Sequence, residues 1–325
     1  MYHRIIVPLD GTAFGEYAIP YGAQLALQTG AVLELCHVHV HRDRNPDLAA
    51  LTPYQYGHCV EAEYEYDAAE EVGEGAALEA LAERVRARYP ITVSTRLLGG
   101  HVEGALLQET ESTLADLVVM ATHARSGFAR VRLGSVADRL VHRMSRPVLL
   151  VQPGAEVEPP AEVLFRRVLI TLDGSPFSEQ VLEQVTPLLV ATGARPWLLH
   201  VVSPLLGPVR RSGVADDARS IHRREDAIAY LTMQAQPLAE QGLHPEIYAV
   251  VDRSPATAIL NAAACADVDL LAMATHGRGG LTRLIMGSIA DQVLRNCRKP
   301  IVLFRPRPVP LPQGKMTDVF LAYGH

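Results

Sequence analysis

Residues 274–288 read "ATHGRGGLTRLIMGS". Gly277, Gly279 and Gly280 free the chain to wrap, Arg278 and Arg283 bring positive charge, and Gly287–Ser288 opens onto "SIADQVLRN", which has helical spacing. Glycine lets a backbone approach a ligand closely, and the N–H groups of a helix's first turn attract an anion. Arginine adds charge-assisted hydrogen bonds to phosphate oxygens. Asp173, just after the apolar run "RVLITL", can accept hydrogen bonds from ribose hydroxyls. Together these residues describe a nucleotide site. A glycine loop that merely turns the chain is the alternative that the loop alone leaves open.

The same loop occurs earlier as "ATHARSGFARVRLGS" (121–135), with alanine at 124 where the later copy has Gly277. Twelve of the 31 positions aligned from 121–151 to 274–304 are identical, which is duplication and not chance. The opening "RIIVPLDGTAFGE" (4–16) likewise returns as "RVLITLDGSPFSE" (167–179), and "LCHV" (35–38) as "LLHV" (198–201). A period this long marks two domains, not a solenoid. We expect one domain over 1–152, a proline-rich acidic linker over 153–164, a second domain over 165–306, and a proline-rich tail over 307–325.

Those motifs need a scaffold, and the pattern supplies one. In the first copy, "RIIVPL", "AVLELCHVHV", "ITVSTRLL", "ADLVVMAT" and "RPVLLVQ" read as strands; in the second, "RVLITL", "PWLLHVV", "HPEIYAVV", "VDLLAMAT" and "KPIVLF" do. Helical patterns separate them, including "EYAIPYGAQLALQTG" and "EGAALEALAERVRARYP". Strands alternating with helices require crossover connections and a parallel sheet covered on both faces. The expected fold is α/β: two tandem doubly wound domains, each a five-stranded parallel sheet of order 3-2-1-4-5. That order sets the first and fourth strands side by side at the switch point, where ligands bind beyond the carboxyl ends. The two last strands should pair as an intramolecular pseudo-dimer, because apolar edges invite pairing.

The 325 residues, 48% hydrophobic with net charge −6, fit an ordinary globular chain long enough for two cores. With no basic excess, no nucleic-acid partner is expected. The opening lacks a secretory pattern and no run reaches the ~18 apolar residues of a membrane span, so no membrane association is expected and the location is read as cytoplasmic. Four scattered cysteines without a CxxC read as reduced thiols.

On "VPLDG" and "ITLDG", the "HV" ending strand two, "ATHGR", "MGSIADQV" and "KPIVLF", both copies resemble the universal stress protein family, whose ATP-binding members carry G-x2-G-x9-G-[ST] after the fourth strand. The second copy reads Ala274-x2-Gly277-x9-Gly287-Ser288 and departs only at the first glycine. The first reads Ala121-x2-Ala124-x9-Gly134-Ser135, with two glycines replaced. The resemblance implies an ATP-binding stress-response module, with a divalent ion (Mg2+ or Mn2+) on the phosphates and possible homo-oligomers. It assigns the main site to Thr171, Asp173, Val201, Ala274, Gly277, Arg278, Gly287, Ser288 and Ile289. A weaker site would use Pro8, Asp10, Val38, Ala121, Ala124, Gly134, Ser135 and Val136. Asp173 or Asp10 and Val201 or Val38 would frame ribose and adenine, and an alanine methyl at 124 would intrude where backbone should meet phosphate.

Other residues could do chemistry. His37, His39 and His41 share one strand face, where imidazoles can bind a transition metal, or they are ordinary strand-end histidines, with His37 matching His200. Spacing fixes no carboxylate beside them, so no metal is assigned. His123 and His276 are read as orienting the loop and not as bases, and Ser135 and Ser288 as helix N-caps and not nucleophiles. The tyrosines of "YQYGHCVEAEYEY" sit in a lid or a loop. An enzyme that hydrolyses ATP or transfers a nucleotidyl group would need a Walker lysine or its equivalent, and none is evident, so no catalytic residue is assigned. A nucleotide-free scaffold is the remaining alternative.

Overall fold

The computed structural model describes residues 1–40, 53–122, 134–153, 160, 163, 165–204, 214–275 and 286–307; of residues 53–66 and 214–220, the backbone alone. Most of the expected linker and the tail after 307 lie outside the described residues.

The first half runs β1 (Arg4–Leu9), α1 (Ala13–Glu16), α2 (Ile19–Thr29), β2 (Val32–His39), α3 (Pro53–Arg88), β3 (Val93–Gly99), α4 (Val102–Ser112), β4 (Leu117–Ala121), α5 (Ser135–Arg143) and β5 (Val148–Val151). The second runs β6 (Arg167–Thr171), α6 (Pro176–Thr192), β7 (Arg195–Val202), α7 (Val214–Glu240), β8 (Glu246–Val251), α8 (Pro255–Cys265), β9 (Leu270–Ala274), α9 (Ser288–Asn296) and β10 (Ile301–Phe304). All strands expected from the sequence form. Their order is β3-β2-β1-β4-β5-β10-β9-β6-β7-β8, so each half is doubly wound as 3-2-1-4-5.

The two sheets are one. β5 and β10 pair antiparallel, with Leu149 opposite Val302, while the other neighbouring strands run parallel. Every residue of β5 and β10 is buried, so the pairing satisfies an edge that would otherwise present apolar side chains and open backbone groups. One apolar cluster lies between the sheet and α2, α3, α6 and α7, and the other under α4, α5, α8 and α9. Tyr2 crosses between the halves, donating from its hydroxyl to Gln184 O at 3.2 Å.

Two helices differ from the sequence reading. "EYAIPYGAQLALQTG" is not one helix: α1 ends at Glu16 and α2 begins at Ile19. Pro20 has no N–H to give the carbonyl of Glu16, and its ring would collide with that carbonyl in a continuous helix. α3 is longer than expected, reaching back to Pro53 through "YQYGHCVEAEYEY", so that segment is helical and not a loop. Only its last turns carry an apolar stripe (Leu78, Leu81, Ala82 and Val85), and the front offered no periodicity to read.

Candidate functional site

In the second half, β6 lies between β7 and β9, with Ile170 opposite Ala272, so the chain leaves adjacent parallel strands at Thr171 and Ala274 on the same edge. Asp173 follows β6. Its Oδ1 accepts from the backbone N–H of Ser175 at 2.9 Å and from the Ser175 hydroxyl, which fixes the carboxylate at the strand's carboxyl end. Ser175 in turn caps α6 by accepting from the Ser178 N–H at 3.2 Å. The buried Ser178 hydroxyl accepts from the Asp173 N–H at 3.1 Å and donates to Ser175 O at 2.9 Å. Val201, half-buried, stands at the end of β7.

Across from Asp173, Thr275 N–H donates to Phe304 O and Gly287 N–H donates to Thr275 O, both at 2.8 Å. These bonds pin the start of α9 to the end of β9. Gly287 is the N-cap, at φ −58° and ψ 143°, and no side chain caps the helix. Ser288 is therefore not the N-cap that the sequence suggested. It is the first residue with helical dihedrals, because the extended glycine before it makes the turn; Gly134 and Ser135 repeat this at α5. The N–H groups of Ser288, Ile289 and Ala290 have no carbonyl inside the helix to bond, whereas that of Asp291 bonds Gly287 O at 2.9 Å; donors at a helix start suit an anion. The acidic residue of that turn, Asp291, is held by Arg295 at 2.7–2.9 Å, which offsets its charge near the helix start.

The first half repeats the frame with differences. Asp10 Oδ1 accepts from the Thr12 N–H at 3.0 Å and the Thr12 hydroxyl at 2.6 Å. Gly15 occupies the place of Ser178, and a Cβ there would meet Asp10 Oδ1 at 2.6 Å. The aspartate thus packs where the second half has a serine, a contrast written in "DGTAFGE" against "DGSPFSE" but not singled out by sequence reasoning. Pro8 lies in β1, Val38 near the end of β2, Ala121 at the end of β4, and Gly134, Ser135 and Val136 at the start of α5. Ala124, Gly277, Arg278, Arg283, His123 and His276 lie outside the described residues.

The model of the universal stress protein family matches this chain twice, over residues 1–152 and 164–305. The chain belongs to the universal stress protein family. A universal stress protein of Mycobacterium tuberculosis is 26% identical over 307 residues, covering 93% of this chain and 97% of the relative. One from Mycolicibacterium smegmatis is 25% identical over 315 residues, covering 94% and 98%. Among solved structures, a universal stress protein from Archaeoglobus fulgidus superposes with TM-score 0.60 at 18% identity, over 93% of this chain and 96% of its own. A functionally unknown protein from Pseudomonas aeruginosa gives TM-score 0.63 at 16% identity, over 94% and 93%. Both structures share the tandem fold with this universal stress protein. No described helix is long and apolar enough to cross a membrane.

One cluster in this universal stress protein escaped sequence reasoning. His39, with 2% of its side chain exposed, places Nδ1 2.7 Å from Glu74 Oε2 and Nε2 3.1 Å from Asp67 Oδ1. His37 directs Nδ1 at Leu9 O (3.0 Å) and Nε2 at Glu74 Oε1 (3.5 Å). Asp67 and Glu74, two turns apart, share one face of α3, but the helix had to be known that far back to see it. Among the described residues, no three His, Cys, Asp or Glu side chains are arranged to hold a metal ion; His41 and the side chains of His58 and Cys59 lie outside that set. Both ring nitrogens of His39 face carboxylate oxygens, an arrangement that favours the doubly protonated, cationic ring. Burial opposes that charge, and the bonds to Glu74 and Asp67 outweigh it, raising the pKa above the ordinary 6.5. A raised histidine pKa stabilises the fold fully below about 6.5 and ceases to as pH rises through the folded value. The melting-temperature advantage of wild type over His39→Phe should therefore be largest near about pH 6 and shrink toward about pH 9. An advantage that grows with pH would contradict the charged ring.

Proposed function

We propose that this protein is a stress-response module that binds an adenine nucleotide, ATP, mainly through its second half, and does not turn it over. The observation that carries the reading is the juxtaposition of Asp173 with the start of α9 at the carboxyl ends of the adjacent strands β6 and β9. A carboxylate there suits ribose hydroxyls, and the uncapped helix start behind Gly287 suits phosphates. The donor set fits the ligand: first-turn N–H groups accept no proton and repel no anion, and Asp291 is already paired with Arg295. Gly277 and Arg278 would complete the phosphate cradle, with Val201 and Thr171 beside the base and sugar. A divalent ion would arrive on the phosphates themselves. The first half, with Ala124 for Gly277, is the weaker site.

The proposed domains are 1–152 and 165–306, joined as a pseudo-dimer through β5 and β10. Mass spectrometry of the small molecules released on denaturing the purified protein tests the reading. Adenine nucleotide is expected in the released fraction. Its absence, together with no uptake of added ATP, would leave the scaffold alternative standing. Steady-state turnover of ATP at enzymatic rates would instead favour a hydrolase.

A further inference from the structure

The turn that opens α9 is held from both halves of the molecule. Gly287 N–H donates to Thr275 O within the second half, but the N–H immediately before it, that of the buried Met286, donates to His142 Nε2 at 2.9 Å. His142 belongs to α5 of the first half. Its Nδ1 faces the carbonyl of Asp138 one turn back, so Nδ1 carries the proton and Nε2 offers its lone pair to Met286. That single neutral tautomer satisfies both contacts. The histidine's own carbonyl accepts from Arg305 Nη1 at 2.9 Å, and Arg305 directly follows β10. A closed circuit results: α5 of one half, the phosphate-facing turn of the other, and the strand that joins them.

The second half also receives a bond across the seam, from Gln152 Nε2 to Leu294 O at 3.3 Å, but the acceptor role of His142 has no equivalent side chain on α9. The residue of α9 that matches His142 in the aligned repeats is Arg295, whose guanidinium has no lone pair to offer and is bound to Asp291. We propose that His142 is a positioning residue for the second half's anion-binding turn, reaching it across the domain seam. By holding the Met286 amide, next to the Gly287 amide that Thr275 holds, it sets the direction in which the following N–H groups of Ser288 and Ile289 point. The first half thus serves as a support for the second half's site, which gives a duplicated chain a use for a copy whose own glycine loop is degraded. This inference rests on the nucleotide reading above.

The test uses the full chain carrying Asp10→Ala, so that the first half's site is silent, and compares His142→Ala with His142→Gln. Glutamine places an oxygen acceptor near the position of Nε2, whereas alanine offers none. Titration calorimetry with ATP should show His142→Ala weaker by about three- to tenfold, the worth of one hydrogen bond, with His142→Gln restored to within about twofold of the parent. Hydrogen exchange read at the Met286 amide of the ligand-free protein should be faster in His142→Ala and near parental in His142→Gln. A merely structural role would move neither selectively. Parental affinity and parental Met286 exchange in His142→Ala would overturn the inference while leaving the nucleotide reading intact, as would an equal loss in both variants. Failure of the Asp10→Ala parent to bind ATP at all would overturn the nucleotide reading and the inference with it.

Discussion

Replacing Asp173 with alanine should weaken ATP binding by about ten- to a hundredfold, the worth of hydrogen bonds to a charged acceptor. Asp10→Ala in the same chain should change it by no more than about twofold, since removing an acceptor from a weak site costs little. Asp173 is held at the end of β6 by two bonds from Ser175 and by Ser178 on its own N–H, so the carboxylate is fixed in place before the proposed ligand arrives. The substitution removes the acceptor without touching the buried strand. Calorimetric titration of the two variants side by side checks this. Equal losses would mean two comparable sites, and a loss confined to Asp10→Ala would move the site to the first half.

Val302→Asp should destabilise the whole chain by about 3–5 kcal/mol, the cost of an unpaired buried charge. Val302 is buried in β10 opposite Leu149 of β5, on the face packed under α2 and α6. An aspartate there meets apolar neighbours from both halves at the one antiparallel junction of the sheet. Val72→Asp, on the outer surface of α3, is the control and should stay within about 0.5 kcal/mol. Urea unfolding followed by circular dichroism measures both. A Val302→Asp variant as stable as the control would show that the β5–β10 pairing contributes nothing to the folded molecule.

Much of the architecture was legible because its signals are local. "RIIVPL", "VDLLAMAT" and "KPIVLF" are short apolar runs between turn residues, and repetition of the whole pattern marked two like domains, whose expected order 3-2-1-4-5 the structure shows in each half. The apolar last strands also announced their pairing. What stayed hidden depended on contacts or on missing periodicity. The front of α3 carries acid and tyrosine without an apolar stripe, so nothing marked it as helix, and Asp67 and Glu74 could not be set against His39 until the helix was placed. The break after Glu16 was written in Pro20, but the apolar spacing on either side of it masked the interruption. Gly287 and Ser288 were recognised as a helix start, yet which of them caps is a matter of one dihedral. His142 and Met286 are 144 residues apart, and no local pattern joins them.

The central claim, one competent nucleotide site in the second half, is tested most directly by titrating the ligand-free full chain with ATP and reading the stoichiometry. A single saturable binding event per chain is expected, abolished or strongly weakened by Asp173→Ala and preserved by Asp10→Ala. Two equivalent events per chain, or none, would contradict it.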